Sequence, residues 1–310
     1  MNNAERLVKS AQERGDGLPV LGHFVWFELS SVHAPEMDAR DAWLDAGFDA
    51  DHAPKALKAS GAYSRAISRA TVHMQDERDT QVDEALDDEA KTIHVIVERQ
   101  QDLTSGAPKL RYVQRSRVGY IKAKEEVRLE DPTDPVAQNI LALYDDYRLN
   151  VGPNEVRPGI TKELHKLGSI PLRQNGGVYF VPFVEGTTDE PLKAMTQLVK
   201  KWGASRFYPV PQYDTQELRD SVAASAQDSF SAELDGVRKE LETYRERIED
   251  KDTSNPREGT IHKRLDALQD MERRAALYAQ ALDIKKEDLL DGIEDVRKGI
   301  NELLADVFSV

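Results

Sequence analysis

The chain has 310 residues, 56 acidic and 42 basic, and its formal net charge of −14 argues against non-specific affinity of the whole molecule for a phosphate backbone. It contains no cysteine, which excludes disulfides, thiolate nucleophiles and cysteine-held zinc or iron–sulfur centres. The length predicts two or three units, and no apolar run approaches the ~20 residues of a membrane-spanning helix, so no membrane partner is expected.

The polar opening, Met1–Asp16, does not read as a secretory signal, and a cytoplasmic location is expected. Pro19–Leu29 (PVLGHFVWFEL) is short, β-branched and aromatic, and predicts a buried strand. Pro35–Phe48 predicts a short helix closed by Gly47, with Met37, Trp43 and Phe48 as core residues. A second helix is expected over Pro54–Gln75, weakened by Ser60-Gly61. The acidic run Thr80–Ala90 is either a helix or a solvated connection. Thr92–Arg99 places Ile93, Val95 and Val97 on one face of a strand, Thr104–Pro108 supplies a turn, and Lys109–Gln114 and Arg117–Lys124 follow as strands. Residues 1–130 thus predict an α+β domain with a small antiparallel sheet.

Asp131-Pro132-Thr133-Asp134-Pro135 reads as a boundary, with Asp134 placed to cap a helix that Pro135 opens. Residues 131–212 then predict a helix–hairpin module. Helices over Pro135–Leu149 and Pro158–Leu167 are followed by strands Ile170–Gln174 and Gly177–Val181 around an Asn175-Gly176 turn. Helix Glu190–Trp202 and strand Arg206–Val210 complete it. Two helices and a hairpin in this order are winged-helix-like.

Residues 213–310 predict an antiparallel three-helix bundle or coiled coil built from Asp214–Asp250, Thr260–Asp283 and Lys285–Phe308, with Lys251–Gly259 as a loop. Phe230, Leu234, Val237, Leu241, Tyr244 and Ile248 form the stripe of the first, and Ile261, Leu265, Leu268, Met271, Ala275, Tyr278 and Leu282 that of the second. In the third, Leu289, Ile293, Val296, Ile300, Leu303 and Val307 alternate four- and three-residue steps, the spacing of an assembly seam. From Asp214 onward 24 acids face 15 lysines and arginines, a local balance of −9, so any polyanion is met elsewhere.

Two segments suit that role. Around the helix–hairpin, Arg157, Lys162, His165, Lys166 and Arg173 stand against the single acid Glu163 and would face a nucleic-acid groove or a partner. On a regular strand, Lys109, Arg111, Arg115 and Arg117 would share one basic face; the plainer reading pairs that face with the acids of Thr80–Glu89. The histidines show no metal-ligand spacing, and Walker, dinucleotide, nucleophile-elbow and kinase signatures do not occur, so no cofactor, metal or catalytic residue is assigned. The expectation is a non-enzymatic interaction or scaffold protein. It would bind a protein partner, or itself, through the C-terminal helices; nucleic-acid binding through the winged-helix-like module is the alternative.

Overall fold

The computed structural model describes residues 18–30, 32–74, 80–102, 109–172, 177–249 and 258–308. The fold is mixed α+β, with small antiparallel sheets and a helical C-terminal region. In chain order the elements are β1 (Val20–Glu28), β2 (Ala34–Pro35), α1 (Glu36–Asp45), α2 (Ala59–Met74), β3 (Thr80–Asp87), β4 (Lys91–Asp102), β5 (Lys109–Ile121) and β6 (Glu126–Leu129). They continue with α3 (Pro135–Leu149), β7 (Asn150–Val151), α4 (Pro153–Lys166), β8 (Ile170–Pro171), β9 (Tyr179–Pro182), α5 (Asp189–Lys200) and β10 (Arg206–Tyr213). Last come α6 (Gln216–Glu249), α7 (Glu258–Leu282), α8 (Lys286–Leu289) and α9 (Ile293–Phe308). The chain divides into two compact units, Ser31–Gly159 and Met1–Ser30 joined with Ile160–Val310.

In the Ser31–Gly159 unit, β3, β4, β5 and β6 form an antiparallel meander in that order. Directly paired residues share a face. Val82, Ile96, Ser116, Val118 and Tyr120 therefore line the inner face, where α2 and α3 pack. Helix α2 buries Ala59, Ala62, Ala66 and Ala70 in this core together with Tyr63 and Ile67, and it approaches α3 closely. The Tyr63 ring stacks on Tyr120 at 5.2 Å, and its hydroxyl donates to the Val118 carbonyl at 3.0 Å. That hydroxyl proton being committed, His94 Nδ1, 2.9 Å away, must be the donor to Tyr63. Burial lowers the His94 pKa, against the pull of Glu84 and Asp87.

The acidic run is a strand. Thr80 and Val82 turn inward while Gln81 and Asp83 turn outward, an alternation that its carboxylates and an irregularity between Glu84 and Leu86 hide in the sequence. The two strands expected around Ser116 are one, β5, interrupted by a bulge: Val97 pairs with Gln114 and Ile96 with Ser116, leaving Arg115 as the extra residue. Arg115 Nε donates to Asp134 Oδ2 at 2.7 Å. Asp134 in turn caps α3, accepting from the amides of Val136 at 2.8 Å and Ala137 at 3.1 Å. The cap and Pro135 stand where the sequence puts them, but this tie to β5 sets Asp131–Pro135 inside the unit. Met37, read as core, is 76% exposed, while Trp43 and Phe48 are buried.

Helix α4 starts at Pro153, not Pro158, which lies inside it. Proline is well placed at a first helical position, and Glu155 reaches back to accept from the Gly152 amide at 3.0 Å, half of a capping box. At Gly159 a Cβ would lie 2.3 Å from the His52 carbonyl and 3.0 Å from the Trp43 ring, so only glycine allows this contact.

In the other unit the strand order is β10-β1-β9-β8, all antiparallel. β1 forms as expected, but pairs with β9 and β10 in place of the N-terminal sheet. Phe24 pairs with Phe180, and both belong to the apolar cluster of the helical bundle. The opposite face carries His23, 3.8 Å from Asp189 at the start of α5, and α5 packs along β10. This sheet is thus held between the bundle and α5.

Three ion pairs and one hydrogen bond show the bundle's directions. Glu233 meets Arg274 and Glu240 meets Arg264, so α6 and α7 are antiparallel; Arg238 meets Gly292 and Arg245 meets Glu302, so α6 and α9 run parallel. The third helical stretch is broken: Gly292, at φ +78°, separates α8 from α9, and its missing Cβ makes room for the Arg238 guanidinium. Arg274 is almost wholly buried. It pairs through both terminal nitrogens with Glu233, donates to Asp270 at 2.9 Å and lies over the Phe230 ring. Burial opposes its charge, but these bonds outweigh that and raise its pKa.

Candidate functional site

A cleft of ≈ 610 Å³ opens in the Ser31–Gly159 unit. Helix α2 contributes Arg65, Ser68 and Arg69; the end of α3 contributes Asp146 and Tyr147; the Asn150–Glu155 segment and Val32-His33 close it. Arg65 and Arg69 are one helical turn apart and so lie on one side of α2. Arg65 Nη1 donates to Glu155 Oε1 at 2.5 Å, and its guanidinium lies 5.6 Å from the centre of the Tyr147 ring. The Glu155 carboxylate is 8% exposed, and its other oxygen accepts from the Gly152 amide. Across the cleft, Asp146 Oδ1 is 2.7 Å from His33 Nε2 and accepts from Asn150 Nδ2 at 2.8 Å. Among the described residues Arg69 has neither an ion-pair nor a hydrogen-bond partner. The cleft therefore offers donors on one wall and a His–Asp–Asn network on the other.

A second feature of this unit is the outer face of the sheet. Val97 pairs with Gln81 and Gln114, Val95 with Asp83 and Arg117, Ile93 with Leu86, and Arg99 with Tyr112. The two helices that pack on the sheet occupy the inner face, and on the outer one Leu86 is 39% and Tyr112 54% exposed.

A family model described as "Family of unknown function (DUF6744)" matches residues 20–308. The chain belongs to this family. No curated protein and no solved structure matches it. The matched stretch runs through both compact units and includes the residues of the cleft and of the bundle.

The residues singled out in the sequence are dispersed. The bulge at Arg115 divides the basic strand: Arg111, opposite Gln100, belongs with the inner-face register, whereas Arg117, opposite Val95, lies on the outer face. Arg115 is held by Asp134, and Arg117 is 3.8 Å from Glu130. Lys109 lies in β5 with its side chain outside the described residues, as is Arg173 with the whole Asn175-Gly176 turn. Of the acids offered as partners, Asp87 pairs with Lys122 at 2.8 Å. In α4, Lys162 is exposed, Arg157 is exposed but engaged, and Lys166 is 3.9 Å from Glu163. His165 Nε2 meets Asp270 Oδ2 at 2.7 Å, and Arg273 donates to the His165 and Lys166 carbonyls. The end of this helix is thus docked on α7. The second hairpin strand, β9, is an interior strand of a four-stranded sheet and not a projecting wing.

Leu289, Ile293, Val296, Ile300 and Leu303 are all buried in the chain's own core with α6 and α7; the Val307 side chain lies outside the described residues. The cleft residues were not singled out. A helical Arg65-x-x-Ser68-Arg69 and Gly152-Pro153-x-Glu155 at a helix start are the local signals that would have marked them. Among the described residues no group of three potential metal ligands occurs, and no helix is long and apolar enough to cross a membrane.

Proposed function

We propose that the protein is a non-enzymatic interaction protein that docks a protein partner on the outer face of the β3–β6 sheet, with the bundle as internal support. The observation carrying this reading is the face itself, where Ile93, Val95 and Val97 lie beside exposed Leu86 and Tyr112. Arg117 with Glu130 and Arg128 with Glu126 lie at its side, giving an apolar centre with a charged rim, as protein-binding patches have. Burial of the α9 seam in the chain's own core supports moving the contact away from the bundle. A cytoplasmic setting fits a chain without cysteine.

Nucleic-acid binding through Lys162 and its neighbours is the weaker reading, because the bulge divides the basic strand and the α4 terminus is engaged by α7. The test is a Val95→Asp/Val97→Asp variant with unchanged circular dichroism. It should lose a partner that the parent chain retains on an affinity column from source cells; undiminished capture would sink the reading. Salt-sensitive nucleic-acid binding that falls on Lys162→Ala would put the alternative in its place.

A further inference from the structure

We propose that the cleft of the Ser31–Gly159 unit binds a small phosphate monoester, with Arg69 and Arg65 receiving the phosphate. Arg65 is set in place by Glu155 and Tyr147, and the bonds of Glu155 go to Arg65 and Gly152, not to Arg69. Arg69, one turn on and lining the same cleft, thus presents a guanidinium that no described residue answers. Two planar forks side by side call for an acceptor with more than two oxygens. A carboxylate is satisfied by one fork, whereas a phosphate monoester has three terminal oxygens and serves both.

The opposite wall suits the organic part of such a ligand. Asp146 accepts from Asn150 and lies against His33, a polar network able to meet hydroxyl groups. The volume, ≈ 610 Å³, far exceeds that of phosphate alone and falls in the range of about 300–1,000 Å³ typical of small-molecule sites.

Titration calorimetry on the full chain in chloride buffer, at constant ionic strength, tests this with inorganic phosphate, adenosine 5′-monophosphate, adenosine and acetate. Saturable binding of the two phosphates is expected, with acetate and adenosine at least about tenfold weaker. Arg69→Ala should weaken phosphate binding by about tenfold or more without moving the thermal midpoint, and Arg69→Lys, which keeps the charge and loses the fork, should fall between. The lysine variant also serves if the alanine one does not fold. No saturable phosphate binding, acetate binding equal to phosphate, or full affinity in both Arg69 variants would overturn the proposal. The site is independent of the sheet face: Val95→Asp/Val97→Asp should leave phosphate affinity unchanged, and its loss there would overturn the assignment to the cleft.

Discussion

Arg274 in the bundle and Arg69 beside the cleft are the same residue on helices of comparable regularity, yet their surroundings are opposite. Arg274 is 1% exposed and meets two carboxylates and an aromatic face, so its hydrogen-bonding capacity is spent inside the protein. Arg69 is exposed, and Glu155, the buried carboxylate of its cleft, bonds Arg65 and a backbone amide. A buried guanidinium must be matched inside the chain, whereas an exposed one is answered by water and, on the proposal above, by a phosphate. The difference lies in the count of neighbouring acceptors and not in the arginine.

Three measurements press on this contrast. The largest effect is expected for Arg274→Ala, which strands Glu233 and Asp270 at the α6–α7 contact and should cost about 3–5 kcal/mol in denaturant unfolding. Arg274→Met, which fills the space without a charge, should cost less; an equal loss would mean that pairing and not volume is what the site requires.

A smaller effect is expected from acid. Burial alone would raise the Asp270 pKa, but hydrogen bonds from His165 and Arg273, with the charge of Arg274, hold it well below its ordinary 3.8. The unfolded chain therefore takes up this proton before the folded one does. The stabilisation is complete above 3.8 and fades as the pH falls below it. Urea midpoints measured from neutrality down to acid should drop over that window, and Asp270→Asn should flatten the drop. The smallest effect belongs to Arg69→Ala, which should stay within about 0.5 kcal/mol of the parent chain at any of these pH values; a larger loss would put Arg69 in the structural class with Arg274.

Much of the fold is legible in local pattern. The β1 run, the Asp134-Pro135 start of α3 and the stripes of α6 and α7 stand close to where their spacing puts them, because each is set by neighbours a few residues away. What escaped depends on partners distant in sequence. The acids of β3 conceal an inner face set by β4 and α2, and the side chain that the bulge frees, Arg115, is met by Asp134 from 19 residues on. The seam of α8 and α9 was read correctly as apolar, but spacing alone does not say whether a second molecule or the same chain covers it. The cleft was missed for the same reason: Arg65, Asp146 and Glu155 meet only after three helices have been placed.

The pairing of Val20–Glu28 with Tyr179–Pro182 and Arg206–Tyr213 sets an order of events on the ribosome. β1 leaves the exit tunnel before β9 and β10, its strand neighbours among the described residues, while the strands of the Ser31–Gly159 sheet are made in one uninterrupted stretch. Vectorial synthesis thus favours early closure of the interposed unit, and the VLGHFVWFE strand stays an unsatisfied edge throughout. That largely apolar nonapeptide is the segment a nascent-chain holdase should recognise, and a product truncated before β9 should aggregate through it.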